Sequence, residues 1–254
     1  MSTAVPARAR VLLAEDDASV ARFVALALED LPIELVICAD VAAVRRALAE
    51  VPCTLLITDL LLPGESGLDL LRSLRDEPAL RGRARVVVFS AGLDAATRAE
   101  LAAYPVWRLL AKPASLAALT QCVQEAIAVA ATDPDAGMAG LAASALPVDE
   151  PEAIRLHFAG DAALFYDYRD ACLRQFPNDL AAGDAAVARA DLGALRRLVH
   201  SLATVLHTLG RLEGGREAKA LERLIEAGGG PGAEPGAEFR AVQAAWRRLQ
   251  AFLK

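Results

Sequence analysis

Apolar positions in the first half of the chain come in short unbroken runs separated by stretches of helical spacing. The runs at 11–14, 33–38, 54–58, 86–89 and 106–110 are leucine-rich or β-branched and predict five strands. The intervening segments at 19–29, 41–50, 68–75, 94–102 and 115–131 carry Ala, Leu and Arg at helical period. A strand that is apolar on both sides, followed each time by a helix, predicts a parallel sheet covered on both faces: an α/β doubly wound fold with five strands. Beyond 131 the pattern stops. Residues 133–147, DPDAGMAGLAASALP, show no sustained period and read as a flexible linker over 132–149. From 150 onward helical patterns run over 152–158, 162–190, 192–209, 211–227 and 238–252, interrupted at 228–238 by the low-complexity joint GGGPGAEPGAE. Asp161 and Asp191 stand where N-caps belong. The expected organisation is an α/β domain over 1–131, the linker, and an all-α helical bundle of four-helix type over 150–254.

Composition sharpens this division. Alanine occupies 56 of 254 positions and aromatics only 5%, which favours helix and small-residue packing. With 33 acids against 27 bases the net charge is −6, which argues against a nucleic-acid binder relying on positive charge. The acid excess lies in residues 1–150, whereas 151–254 hold 14 bases and 13 acids. No apolar run is long enough to span a membrane, and MSTAVPARAR lacks the apolar stretch of a signal peptide, so a cytoplasmic location is expected. Cys38, Cys53, Cys122 and Cys172 have no metal-type spacing and read as small buried hydrophobes in a reduced compartment. Only three of the 27 bases are lysine, so each retained lysine calls for a reason.

The candidate chemistry sits at strand ends. Glu15, Asp16 and Asp17 follow the first strand, Asp59 the third, Ser90 the fourth and Lys112 the fifth. In open α/β sheets that carboxyl edge is where ligands bind. With strand order 2-1-3-4-5, the first and third strands are neighbours, and Glu15, Asp16 and Asp59 converge. Carboxylates that close need a cation to stay ionised, and hard oxygen ligands suit Mg²⁺. Ser90 and Lys112 supply a hydroxyl donor and a compact ammonium for phosphoryl oxygens. Together these are the parts for phosphoryl transfer onto a carboxylate. Taken singly, each residue has an ordinary explanation: Asp16 or Asp17 as a helix N-cap, Ser90 as a loop serine, Lys112 as a turn residue before Pro113.

VLLAEDD at 11–17, LLITDLLLPGESGLDLL at 55–71, VVVFSAG at 86–92 and LLAKP at 109–113 resemble, in order and spacing, the response-regulator receiver domain. The resemblance covers about residues 8–130 and implies a flavodoxin-like fold of order 2-1-3-4-5. It further implies Asp59 as phospho-acceptor and a Mg²⁺ site of Glu15, Asp16, Asp59 and the backbone carbonyl of Leu61. Ser90 and Lys112 would contact the phosphoryl group, and Lys112–Pro113 would be a cis peptide. Asp17 lies one place past the metal pair and keeps its cap role. Leu109 stands where receivers commonly have an aromatic switch residue, which puts the usual serine-to-aromatic coupling in doubt.

The chain has three histidines, His157, His200 and His207. Helical periodicity over 192–209 puts Leu195, Val199, Leu202 and Leu206 on an inward stripe and predicts a solvent-facing His200, one turn beyond Arg196 and Arg197. His157 and His207 read as incidental. LRRLVHSLATVLHTLG at 195–210, with LERL at 221–224, resembles the histidine phosphotransfer (HPt) domain, which implies His200 as a phospho-histidine. The chain departs from that pattern at Ala203, where lysine is usual, and at Thr204, where a small residue is usual. No ATP-binding motif of a kinase is visible, so no enzyme is expected beyond possible self-dephosphorylation of the aspartyl phosphate. The function implied is a two-component phosphorelay protein. Asp59 accepts phosphate from a sensor histidine kinase or a phosphorylated HPt donor, and His200 exchanges it with a receiver aspartate in cis or in trans. The alternative is an interaction protein whose bundle binds a kinase or receiver without transferring phosphate. No nucleic-acid or membrane partner is expected.

Overall fold

The computed structural model describes residues 8–130, 139–141, 146–227 and 237–254. It divides into two compact units, Met1–Ala143 and Ser144–Lys254. In the first, strands β1 (Ala9–Ala14), β2 (Ile33–Cys38), β3 (Leu55–Thr58), β4 (Arg85–Ser90) and β5 (Arg108–Ala111) pair in parallel in the order 2-1-3-4-5. The doubly wound, flavodoxin-like expectation is met. Strands β3, β4 and β5 are buried along their whole length, which is why their sequences are continuous rather than alternating apolar runs.

Helices α1 (Ala18–Leu28), α2 (Val41–Glu50), α3 (Gly67–Asp76), α5 (Ala95–Leu101) and α6 (Leu116–Ala130) lie within a residue or two of the predicted segments. Polar caps fix their starts. Asp17 accepts from the amides of Ser19 and Val20, and Asp40 from that of Ala43. Ser66 and Asp69 form a reciprocal capping box at α3.

Two elements were not foreseen. A single helical turn, α4 (Pro78–Arg81), follows α3. The stretch read as linker contains a three-residue strand, β6 (Ala139–Leu141), which pairs in parallel with β5 and extends the sheet to six strands. The Gly/Ala-rich sequence of β6 carries no strand signal of its own; the unpaired edge of β5 supplies the partner. The remainder of the linker over 131–138 and 142–145, and most of the glycine-rich joint at 228–236, lie outside the described residues.

The second unit is helical: α7 (Glu150–His157), α8 (Ala162–Ala188), α9 (Leu192–Thr208), α10 (Leu212–Ala227), α11 (Ala237–Leu249) and a closing 3-10 turn at Gln250–Phe252. Asp161 and Asp191 cap α8 and α9 as expected, accepting from Leu164 and Ala194. Helix α9 packs against both α8 and α10. Aromatic residues concentrate in this core, where Phe158 meets Phe165 edge-on at 5.3 Å and the Trp246 indole packs against Gly183. A β-carbon at Gly183 would stand 2.0 Å from the indole, so α8 and α11 approach this closely only with glycine there. All four cysteines are buried, and none forms a disulfide. Among the described residues no helix is long and apolar enough to cross a membrane.

Candidate functional site

The parallel register of β1 and β3 sets Ala14 against Thr58, so the residues that follow, Glu15 and Asp59, emerge side by side at the carboxyl edge. Ser90 ends β4 opposite Ala111 of β5, one residue before Lys112. The strand-end placement therefore brings Glu15, Asp59, Ser90 and Lys112 to one edge as the sequence predicts, all four buried.

The centre of this pocket is the Lys112 ammonium. Nζ donates to Glu15 Oε2 and to Asp59 Oδ2, each at 2.6 Å, and lies 5.0 Å from the centre of the Phe89 ring. The Lys112–Pro113 peptide is cis, as anticipated. Asp59 Oδ1 accepts from the amides of Leu60 at 2.6 Å and Leu61 at 3.3 Å, so both carboxylate oxygens are held. Gly67 explains part of the motif after Asp59. Its amide donates to the Leu60 carbonyl, and a β-carbon there would stand 2.0 Å from the Asp59 carbonyl oxygen. Leu109, in place of an aromatic residue, is buried within β5.

Burial pushes the Glu15 carboxyl up to about 8, with Asp59 adding to the rise and Lys112 drawing it back. Burial likewise raises Asp16 and Asp17 above the usual carboxylate range. For Lys112 burial works against the charge, but Asp59 and Glu15 outweigh it and hold the ammonium protonated. Among the described residues no three acidic, histidine or cysteine side chains already stand in metal-ligating positions. The lysine takes one oxygen from each of Glu15 and Asp59 instead. The donor chemistry nevertheless fits a hard divalent cation. Glu15, Asp16 and Asp59 set three carboxyl groups against one ammonium, an excess of acidic oxygen donors.

The second site lies in the helical unit and corrects an expectation. His200 is only 4% exposed, not solvent-facing. The helical wheel assumes one covered face, but every residue of α9 from Val199 to Thr208, and on through Gly210, is buried, leaving no wet side for an amphipathic stripe to define. His200 Nδ1 lies 2.6 Å from Glu222 Oε1 of α10, and the other oxygen of Glu222 accepts from Lys219 Nζ at 2.7 Å. Burial alone would raise Glu222, but the bonds to His200 and Lys219 prevail and pull it down to about 2. Arg196, one turn before His200, is paired with Glu226. Thr204 turns its hydroxyl back toward the His200 carbonyl at 3.5 Å.

Glu222 and Lys219 were missed from sequence. The signal was present, because Gly214, Gly215, Ala218, Leu221 and Glu222 share the buried stripe of α10, so a carboxylate stands at a core position. His157 and His207 are buried as well. Neither ring nitrogen of His157, nor Nε2 of His207, has a hydrogen-bond partner among the described residues. Burial lowers both imidazoles to about 4. Gly215 makes the space for His207, since a β-carbon there would stand 2.2 Å from the ring.

The comparisons concern the first unit. Residues 11–124 match the family described as the response regulator receiver domain. Solved structures similar to this chain include the signal receiver domain of an HD domain-containing protein from Pseudomonas fluorescens Pf-5, at 21% identity and TM-score 0.46, over 52% of this chain and 95% of that one. The phosphorylated cyanobacterial phytochrome response regulator RcpA is 24% identical with TM-score 0.43, over 50% and 96% of the two chains. The receiver domain of Francisella response regulator 1452 is 23% identical with TM-score 0.43, over 47% and 96%. The search of curated proteins gave no significant match. By the family match, residues 11–124 form a response regulator receiver domain, a module of two-component signalling. The family match ends at residue 124, before the helical unit begins.

Proposed function

We propose that this chain is a phosphorelay protein with two phosphate carriers, Asp59 in the receiver domain and His200 in an HPt-like bundle over 150–254. One observation carries the aspartate half: a buried ammonium, Lys112, bonded at 2.6 Å to both Asp59 and Glu15 at the carboxyl edge of a parallel sheet. An oxygen of Asp59 attacks the phosphorus of a phosphohistidine on a sensor kinase or HPt donor. The new O–P bond forms as the N–P bond breaks, and the imidazole nitrogen keeps the electron pair. Lys112 and the Ser90 hydroxyl meet the phosphoryl oxygens. Glu15, Asp16, Asp59 and the Leu61 carbonyl would hold Mg²⁺, which would supply further positive charge to the phosphoryl oxygens. His200 passes phosphate to or from a receiver aspartate, in cis or in trans. The chain does not phosphorylate itself from ATP and works in the cytoplasm.

The test is phosphotransfer from a labelled donor to Asp59→Asn and His200→Gln variants of the full chain. Acid-stable and acid-labile label are scored separately, and each variant is expected to lose one class. Unchanged labelling of either variant removes that residue from the scheme.

A second reading is favoured by the burial of His200. In it, the bundle binds a kinase or receiver without carrying phosphate, and phosphorylation of Asp59 controls that binding. Absence of phosphohistidine on residues 150–254, together with retained partner binding, selects this reading.

A further inference from the structure

The three lysines of this chain are Lys112, Lys219 and Lys254. Lys112 occupies the aspartate pocket, and Lys219 stands at the other site, 2.7 Å from a carboxylate that is itself 2.6 Å from the His200 ring. Ala203 is fully buried, and Arg196 is bound to Glu226. We propose that Lys219 is the positioning residue of the histidine site, holding Glu222 so that His200 keeps its proton on Nδ1 and presents Nε2 as the nucleophile. This rests on His200 being a phosphate carrier.

The geometry supports each link. An ionised carboxylate only accepts hydrogen bonds, so the proton in the His200–Glu222 contact belongs to Nδ1. In the neutral ring the lone pair is then on Nε2. Lys219 fixes the second oxygen of Glu222, three positions along the same helix, and keeps that carboxylate from rotating or taking up the proton. An ammonium bonds one oxygen as a point charge, whereas the planar fork of arginine would compete for both, which accounts for lysine in a chain that otherwise uses arginine. During transfer Nε2 attacks the phosphorus of an aspartyl phosphate, and the O–P bond breaks with its electron pair on the aspartate oxygen. The Nδ1 proton stays in place, and the positive ring faces Glu222.

The test uses the full chain carrying Asp59→Asn, labelled with ¹⁵N-histidine and treated with phosphoramidate. Nitrogen shifts report the tautomer of His200, and ³¹P resonances report phosphohistidine. The parent is expected to show Nδ1–H. Lys219→Met is expected to give a mixture of tautomers and a roughly tenfold slower appearance of phosphohistidine. Lys219→Arg restores part of both. Lys219 is 29% exposed but its partner Glu222 only 7%, so the melting temperature of each variant is read beside the two signals. A parent already mixed in tautomer overturns the inference. So does Lys219→Met that changes neither readout, or that shifts the tautomer without slowing transfer. If the tautomer shifts with Lys219→Met but the parent itself forms no phosphohistidine, the positioning of His200 by Lys219 stands and the phosphate-carrier reading falls.

Discussion

The two sites invert each other's charge arrangement. In the receiver domain one ammonium sits between two carboxylates, Glu15 and Asp59, with Asp16 beside them. In the helical unit one carboxylate, Glu222, sits between an imidazole and an ammonium. The first arrangement is short of positive charge and has use for a divalent cation; the second balances itself. The first is also rigid by construction, because β1, β3 and β5 deliver its members on hydrogen-bonded backbone. The second depends on how α9 and α10 pack.

That contrast can be tested by taking out the central group of each site. Each unit contains one tryptophan, Trp107 in the first and Trp246 in the second, so Trp107→Phe and Trp246→Phe versions make urea unfolding of each unit separately visible. The largest effect is expected from Lys112→Met, which leaves Glu15 and Asp59 buried together without a counter-charge. The receiver domain should lose about 3–5 kcal/mol at neutral pH, part of it recovered by millimolar Mg²⁺. A loss confined to a few tenths of a kcal/mol would mean that the pocket opens to water when the lysine is gone.

Acid should separate the two units next. His157 and His207 fall to about 4 in the folded bundle, against 6.5 for an unperturbed imidazole. The unfolded chain therefore takes up these protons first. Their contribution is complete above pH 6.5 and is lost as pH falls toward 4, on the order of 2–3 kcal/mol for each histidine. The Trp246 transition should move to lower urea across that window, and His157→Phe or His207→Leu should flatten its pH dependence. A bundle whose midpoint does not change between pH 6.5 and 4 contradicts the burial of these rings.

Glu222→Gln is expected to cost less, about 1 kcal/mol, since Lys219 is partly exposed and an amide can still bond the His200 ring. A penalty matching that of Lys112→Met would erase the asymmetry between the sites. Smallest of all is Arg196→Ala. Its pair with Glu226 is exposed, and both the stability change, about 0.5 kcal/mol or less, and the effect on His200 labelling should be hard to detect. Slowed labelling in that variant would restore the arginine to the histidine site.

The same contrast decides what could be read without coordinates. Strands buried on both faces write themselves as VLLA, LLIT and RVVVFS, and polar groups directly after such runs can only lie at the carboxyl edge. Asp59, Glu15, Ser90 and Lys112 were therefore legible from chain position and topology alone. Strand β6 was not, because three residues of a glycine–alanine stretch become a strand only through the edge that β5 offers them. Helix α4 is a single turn, too short for any period to register. His200 was found but misplaced. Periodicity describes one helix against one core, whereas α9 is enclosed through its second half. Glu222 and Lys219 belong to another helix, and only packing shows that they meet His200.

The distribution of lysines has one practical consequence. Lys254 is exposed, Lys219 is held by Glu222, and the Lys112 side chain is almost wholly shielded at 1% exposure. In a chain whose other side-chain cations are arginines, an acylating reagent has very few amines to find. Acetylation read by mass at Lys112 would then serve as a clock for how often the aspartate pocket breathes open, with the molecule's own sparing use of one amino acid keeping the background low.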